Sequence, residues 1–156
     1  MTAKVLVAGV GNIFLGDDGF GVEVARRLGA ERLGDGVKVA DFGIRGVHLA
    51  YELLEGYDLT ILVDAAPRGG DPGTVYVIEP DLRPMERADG LIDAHGMEPD
   101  SVFALLATLG GVPGRVLVVG CEPQDTSERI GLSVPVASAV DQAVGLIAQL
   151  IHREEE

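Results

Sequence analysis

The sequence predicts an α/β domain in three layers: a twisted, mostly parallel sheet with helices on both faces and one antiparallel edge strand. Three observations carry that reading. Runs at residues 4–9, 59–63 and 115–120, apolar apart from Lys4, Thr60 and Arg115, suit strands buried on both faces, as parallel strands are. Between such runs, apolar side chains recur at helical spacing instead of alternating. The segment 67–73, with Pro67, Gly69, Gly70, Pro72 and Gly73, is turn chemistry too short for the crossover that parallel strands require.

In order, residues 4–9 form the first strand and residues 9–16 the turn that leaves it. A helix begins near Gly19, with Phe20, Val24 and Leu28 four apart and Gly29 as its stop. Either Asp17 or Asp18 offers a carboxylate to the open N–H groups of that helix. Residues 37–42 read as a second strand, 47–54 as a second helix, and 59–63 as a third strand ending in Asp64. After the turn, residues 74–79 alternate like a strand with one wetter face, paired antiparallel at a sheet edge. Residues 80–90 read as a charged surface loop. Pro99 favours a helix start, Val102, Phe103, Leu105, Leu106 and Leu109 give that helix an apolar side, and Gly110-Gly111 end it. Residues 115–120 are another buried strand. Ser133 is expected to cap the last helix, where Val136, Val140, Val144, Ile147 and Ile151 line one side and the acidic tail 154–156 frays.

At 156 residues, 47% of them hydrophobic, the chain has the size of one domain, 1–156, with a mainly aliphatic core. The formal net charge of −13 sets a negative field that disfavours nucleic acid and anionic membranes as partners. No stretch reads as the ~20 apolar residues of a membrane span. One cysteine, Cys121, rules out an intrachain disulfide, and a reducing cytoplasm fits best.

Gly9-Val10-Gly11 directly after the first strand invites a dinucleotide reading, but Phe14 stands where the third glycine belongs. Asp17-Asp18 also places two negative charges where a pyrophosphate would meet a positive helix end. No Lys-Ser/Thr pair follows to make a Walker loop. The same carboxylates make sense toward a cation. One can cap the helix, whereas the second adds repulsion with no structural return.

Ligands of open α/β sheets sit beyond the carboxyl ends of the strands, which singles out Asp64. A carboxylate there either accepts backbone bonds at the start of the next turn or needs a cation to offset its desolvation. Of three histidines, His48 falls in the second helix and His152 in the charged tail; His95 sits in the loop Asp93-Ala94-His95-Gly96-Met97. Two carboxylates and one imidazole suit zinc, nickel or another first-row divalent ion, with positions left for water or substrate.

The segment Gly9-Val10-Gly11-Asn12-Ile13-Phe14-Leu15-Gly16-Asp17-Asp18-Gly19-Phe20-Gly21 resembles the opening signature of the hydrogenase maturation proteases. Asp64 after an apolar strand and His95-Gly96 before a helix are similar to that family's other two landmarks, and the likeness runs from about Lys4 to Ile151. The resemblance implies a twisted α/β sheet and an endopeptidase that removes a C-terminal extension from the large-subunit precursor of nickel–iron hydrogenase once nickel is in place. It also implies that Asp18, Asp64 and His95 are the catalytic and metal-binding residues. Nickel is then expected to arrive with the substrate, zinc or cadmium to occupy the site in vitro, and the enzyme to be a monomer that docks transiently. At Asp41-Phe42-Gly43-Ile44-Arg45-Gly46 the chain departs from the Gly-Gly-Thr-like run of many family members.

No Gly-x-Ser-x-Gly elbow and no HExxH helix is present, so the sequence offers no ordinary peptidase machinery. The alternatives are a hydrolase that holds its own zinc at these ligands and a non-catalytic metal-binding interaction module. Cys121 invites a triad with His95 and Asp64, but its neighbour Glu122 disfavours a thiolate, and a small thiol at a strand end is usually packing.

Overall fold

The computed structural model describes residues 3–81 and 99–155. The strands are β1 (Val5–Val10), β2 (Val37–Gly43), β3 (Leu59–Ala65), β4 (Val75–Ile78) and β5 (Arg115–Cys121); the helices are α1 (Phe20–Leu28), α2 (Gly46–Leu53), α3 (Pro99–Thr108) and α4 (Val134–Glu154). Among the described residues the strands form one five-stranded sheet in the order β2-β1-β3-β5-β4. β4 alone runs antiparallel, at the edge, as the short turn before it requires. Its hydrogen-bonded partner is β5, which inserts between β3 and β4.

Strand alternation divides the core into two layers. Val5 and Val7 of β1, Leu59, Ile61 and Val63 of β3, and Leu117 and Val119 of β5 face α1 and α4. Leu6, Ala8 and Val10 with Leu62 and Val116 face α2 and α3. Central strands buried on both sides leave few polar positions, Thr60 of β3 being one, which is why they read as nearly unbroken apolar runs. The sequence offered no membrane-length stretch, yet α4 has 21 residues and an 18-residue window with a mean hydropathy of 1.5, enough by length and composition to cross a membrane. Here its Val136, Val140, Ala143, Ile147 and Ile151 close the first core layer.

Absent Cβ atoms set how closely α1 packs on the sheet. A Cβ on Gly21 would run into the carbonyls of Val63 and Val10, and one on Gly9 into the carbonyl of Gly21. Glycine at both positions lets the first turn of α1 lie on the carboxyl ends of β1 and β3.

Neither aspartate caps α1, contrary to the sequence expectation: its first turn has no side-chain cap. Asp17, 1% exposed, turns the other way. It accepts hydrogen bonds from the amides of Gln124 (2.8 Å), Asp125 (2.9 Å) and Ser133 (2.7 Å) and from the Ser133 hydroxyl (2.8 Å). Ser133 does stand at the start of α4, but its hydroxyl is given to Asp17 and caps nothing. Burial pushes the Asp17 carboxyl up, and the donors at Ser133, Asp125 and Gln124 outweigh it, leaving the pKa below its ordinary value. One buried carboxylate thereby joins the β1–α1 connection to the β5–α4 connection.

Asp17→Asn puts an amide N–H₂ against some of those donors and is expected to cost about 3 kcal/mol at pH 7. Because the folded pKa is depressed, the carboxylate's contribution is complete above the ordinary carboxyl range near pH ~4 and is lost as pH falls through the folded value. Urea unfolding at pH 7 and pH 3 should show the gap between wild type and variant narrowing in acid.

Candidate active site at the carboxyl end of the sheet

The connection after β1 passes over Gly11, whose φ of 129° is a conformation that side-chain-bearing residues rarely adopt. A Cβ there would strike the Asp18 carbonyl and stand 3.2 Å from Asp64 Oδ1. Gly11 is thus the point at which the two aspartates approach. Asp18 lies in a single 3-10 turn, Gly16–Gly19, and its Oδ2 accepts from the Asn12 amide at 2.7 Å. Asp64 is still within β3, paired with Gly120 of β5, one step further into the strand than its sequence position suggested. Its Oδ1 accepts from the Ala65 amide at 2.8 Å.

Both aspartates line one cavity of about 490 Å³. Its floor is apolar, from Leu49 of α2, Leu62 of β3, Val102 of α3 and Val118 of β5, and Ile44 and Pro67 complete the rim. Two carboxylates over an apolar floor repel one another until a cation sits between them, and low surrounding polarity strengthens its attraction to both. The chemistry of the pair therefore fits a divalent metal. Among the described residues no group of three or more His, Cys, Asp and Glu side chains is placed to hold one. His95, the third residue named from the sequence, lies outside the described residues.

The far wall is held by a residue that sequence reasoning used only for its charge. Glu122, 5% exposed, accepts at Oε1 from the amides of Arg68 and Gly70, both at 2.8 Å, and from the Tyr76 hydroxyl at 2.9 Å. The Arg68 amide, against the effect of burial, leads in holding its carboxyl below the ordinary value. With the bond from the Ala66 amide to the Cys121 carbonyl, this fixes the turn that follows Asp64. The clue in the sequence was a charged residue at the end of a buried strand, the same reasoning that marked Asp64.

Cys121 belongs to the core between the sheet and the α1/α4 layer, whereas the cavity floor is drawn from the opposite face. Burial first, then the charges of Asp17 and Glu122, push its thiol up to about 11. At pH 8 the thiolate fraction alone should slow its reaction with a disulfide reagent by about a hundredfold against an unperturbed thiol, and burial should slow it further. Ellman's reagent is expected to find no reactive thiol in the native protein and one after unfolding in urea.

Comparison with known proteins agrees with this architecture. The family model described as hydrogenase maturation protease (HycI) matches residues 22–150. The hydrogenase expression/formation protein HupD of Rhizobium leguminosarum bv. viciae is 32% identical over 151 residues, covering 96% of this chain and 74% of its own. The structure of a hydrogenase 2 maturation peptidase from Thaumarchaeota archaeon SCGC_AB-539-E09 aligns with a TM-score of 0.74 at 31% identity, over 96% of this chain and 98% of that one. The hydrogenase maturating endopeptidase HybD from E. coli gives a TM-score of 0.79 at 25% identity, over 99% and 94%. The chain therefore belongs to the hydrogenase maturation proteases and is an endopeptidase, a hydrolase of peptide bonds.

Proposed function

We propose that this endopeptidase works in the cytoplasm on a nickel-loaded large-subunit precursor of a nickel–iron hydrogenase, removing its C-terminal extension, and that Asp18, Asp64 and His95 are the residues that engage the metal. The observation that carries the reading is the meeting of Asp18 and Asp64, from two separate strand ends, on one apolar-floored cavity. His95 enters through the family resemblance of its His-Gly segment.

Nickel is here part of the substrate. Bound to the precursor, it supplies Lewis acidity near the scissile carbonyl. This chain contributes position. Asp18 is aimed by the Asn12 amide and Asp64 by the Ala65 amide, so their carboxylates are oriented before substrate arrives. The floor of Leu49, Leu62, Val102 and Val118 limits water around the developing charge. Without a cation the two carboxylates lack the electrophile that a peptide bond needs, which makes loading of the precursor the trigger. Zinc or cadmium should occupy the same ligands in vitro.

The test mixes purified enzyme with precursor prepared with and without nickel and follows release of the C-terminal peptide by mass. Only the loaded precursor should be cut. Equal cleavage of both would reject substrate-borne nickel and favour a hydrolase with its own resident metal. Asp18→Asn and His95→Ala are each expected to abolish processing, with unfolding free energy changed by no more than about 1 kcal/mol for Asp18→Asn, since it leaves no core cavity. Cys121→Ser, by contrast, should retain cleavage, and complete loss in a folded variant would point to a cysteine mechanism.

A further inference from the structure

Beside the cavity, the loops that follow β1 and β5 are fastened to each other by their backbones. The Gly16 amide donates to the Arg129 carbonyl at 2.9 Å, the Arg129 amide to the Phe14 carbonyl at 3.0 Å, and the Asp17 amide to the Asp125 carbonyl at 2.9 Å. Side chains reinforce the joint: Asn12 Oδ1 accepts from the Phe14 amide at 2.9 Å, and Asp125 accepts from the Ser127 amide at 2.9 Å and from Arg129 at 3.2 Å. Among polar neighbours such as Glu128 and Arg129, this ledge presents two large apolar side chains outward. Phe14 is 62% and Ile130 75% exposed, and the two border a cleft of about 420 Å³.

Among the described residues neither side chain joins a core layer, and on a chain with a net charge of −13 they offer contact that desolvates at little cost. Their place in the chain indicates what covers them. Phe14 lies between Asn12, whose amide holds the Asp18 carboxylate, and Asp18 itself. A protein that brings a peptide bond to Asp18 must therefore come alongside Phe14. A cavity of about 490 Å³ holds only a short stretch of chain, whereas a specific protein complex covers about 800 Å² on each partner, so most of the contact must fall on the cavity's surroundings. Apolar side chains on loops whose backbones are already hydrogen-bonded together lose little conformational freedom when covered, which is what makes an effective anchor.

We propose that Phe14 and Ile130 form the anchor on which the folded body of the hydrogenase precursor docks, apart from the peptide that enters the cavity. This inference rests on the precursor being the substrate, as argued above.

Steady-state cleavage of nickel-loaded precursor by wild type, the double variant Phe14→Ser/Ile130→Ser, and Val112→Ser tests it. Val112 is a control, 80% exposed and located just before the amino end of β5. The double variant should raise KM about tenfold with kcat within about twofold, Val112→Ser should change neither, and Phe14→Leu should recover most of the loss. An unchanged KM in the double variant overturns the proposal, as does a fall in kcat alone, which would mean that the loop merely disturbs Asp18. Sedimentation of the same proteins identifies the competing occupant: a wild-type dimer that the double variant converts to monomer, with KM unchanged, assigns the ledge to a second copy of this chain. Failure of wild type to cut any loaded precursor is a separate result, one that rejects the substrate and this inference together.

Discussion

The buried Asp17 carboxylate is the constraint on which the carboxyl end of the sheet depends. Its four accepted hydrogen bonds come from the segment between β5 and α4, while its own backbone belongs to the connection between β1 and α1. Loops beyond the ends of parallel strands have fewer neighbours to restrain them than the strands do, and in the β5–α4 connection Leu132 packs only partly buried against the core. A charged acceptor with every donor in place supplies the restraint instead. Once the two loops are tied, the adjacent Asp18 is left at the cavity rim.

Two neighbouring aspartates thus have opposite surroundings. Asp17 is enclosed and meets backbone and hydroxyl donors; Asp18 lines a cavity and, among the described residues, is oriented by the Asn12 amide. The repulsion between adjacent carboxylates is tolerated because Asp17's charge is satisfied on the α4 side, away from Asp64. Glu122 repeats the device on the other wall, where a buried carboxylate holds the turn after Asp64. Around a site suited to a cation, the scaffold itself is built from negative charge that already has its partners.

The layered fold was legible because the sheet's two covered faces leave a plain trace in the sequence. Runs such as Val5-Leu6-Val7-Ala8 have no polar position to spare, and Phe20, Val24 and Leu28 mark one side of α1. The antiparallel edge followed from the length of the 67–73 turn. Its partner did not, because local sequence cannot say which later strand will insert beside it; β5 does so from about 40 residues downstream. Asp18 and Asp64 could be picked out because each is a carboxylate placed just beyond an apolar strand and its turn. The role of Asp17 could not, since every donor that fixes it lies more than a hundred residues away, and an aspartate before a helix reads locally as a cap. For the same reason Ser133 has the position of a cap and a different hydrogen bond.

The central claim is that Asp18 and Asp64, with His95, become ligands of a nickel ion that the partner protein carries. X-ray absorption at the nickel edge measures this most directly, on loaded precursor alone and after mixing with enzyme slowed enough to trap the complex. The account predicts added oxygen and nitrogen scattering at about 2.1 Å on docking, part of it lost with Asp18→Asn and part with Asp64→Asn. A nickel environment that is identical in free and docked precursor, while wild-type enzyme goes on to cut it, would contradict the account.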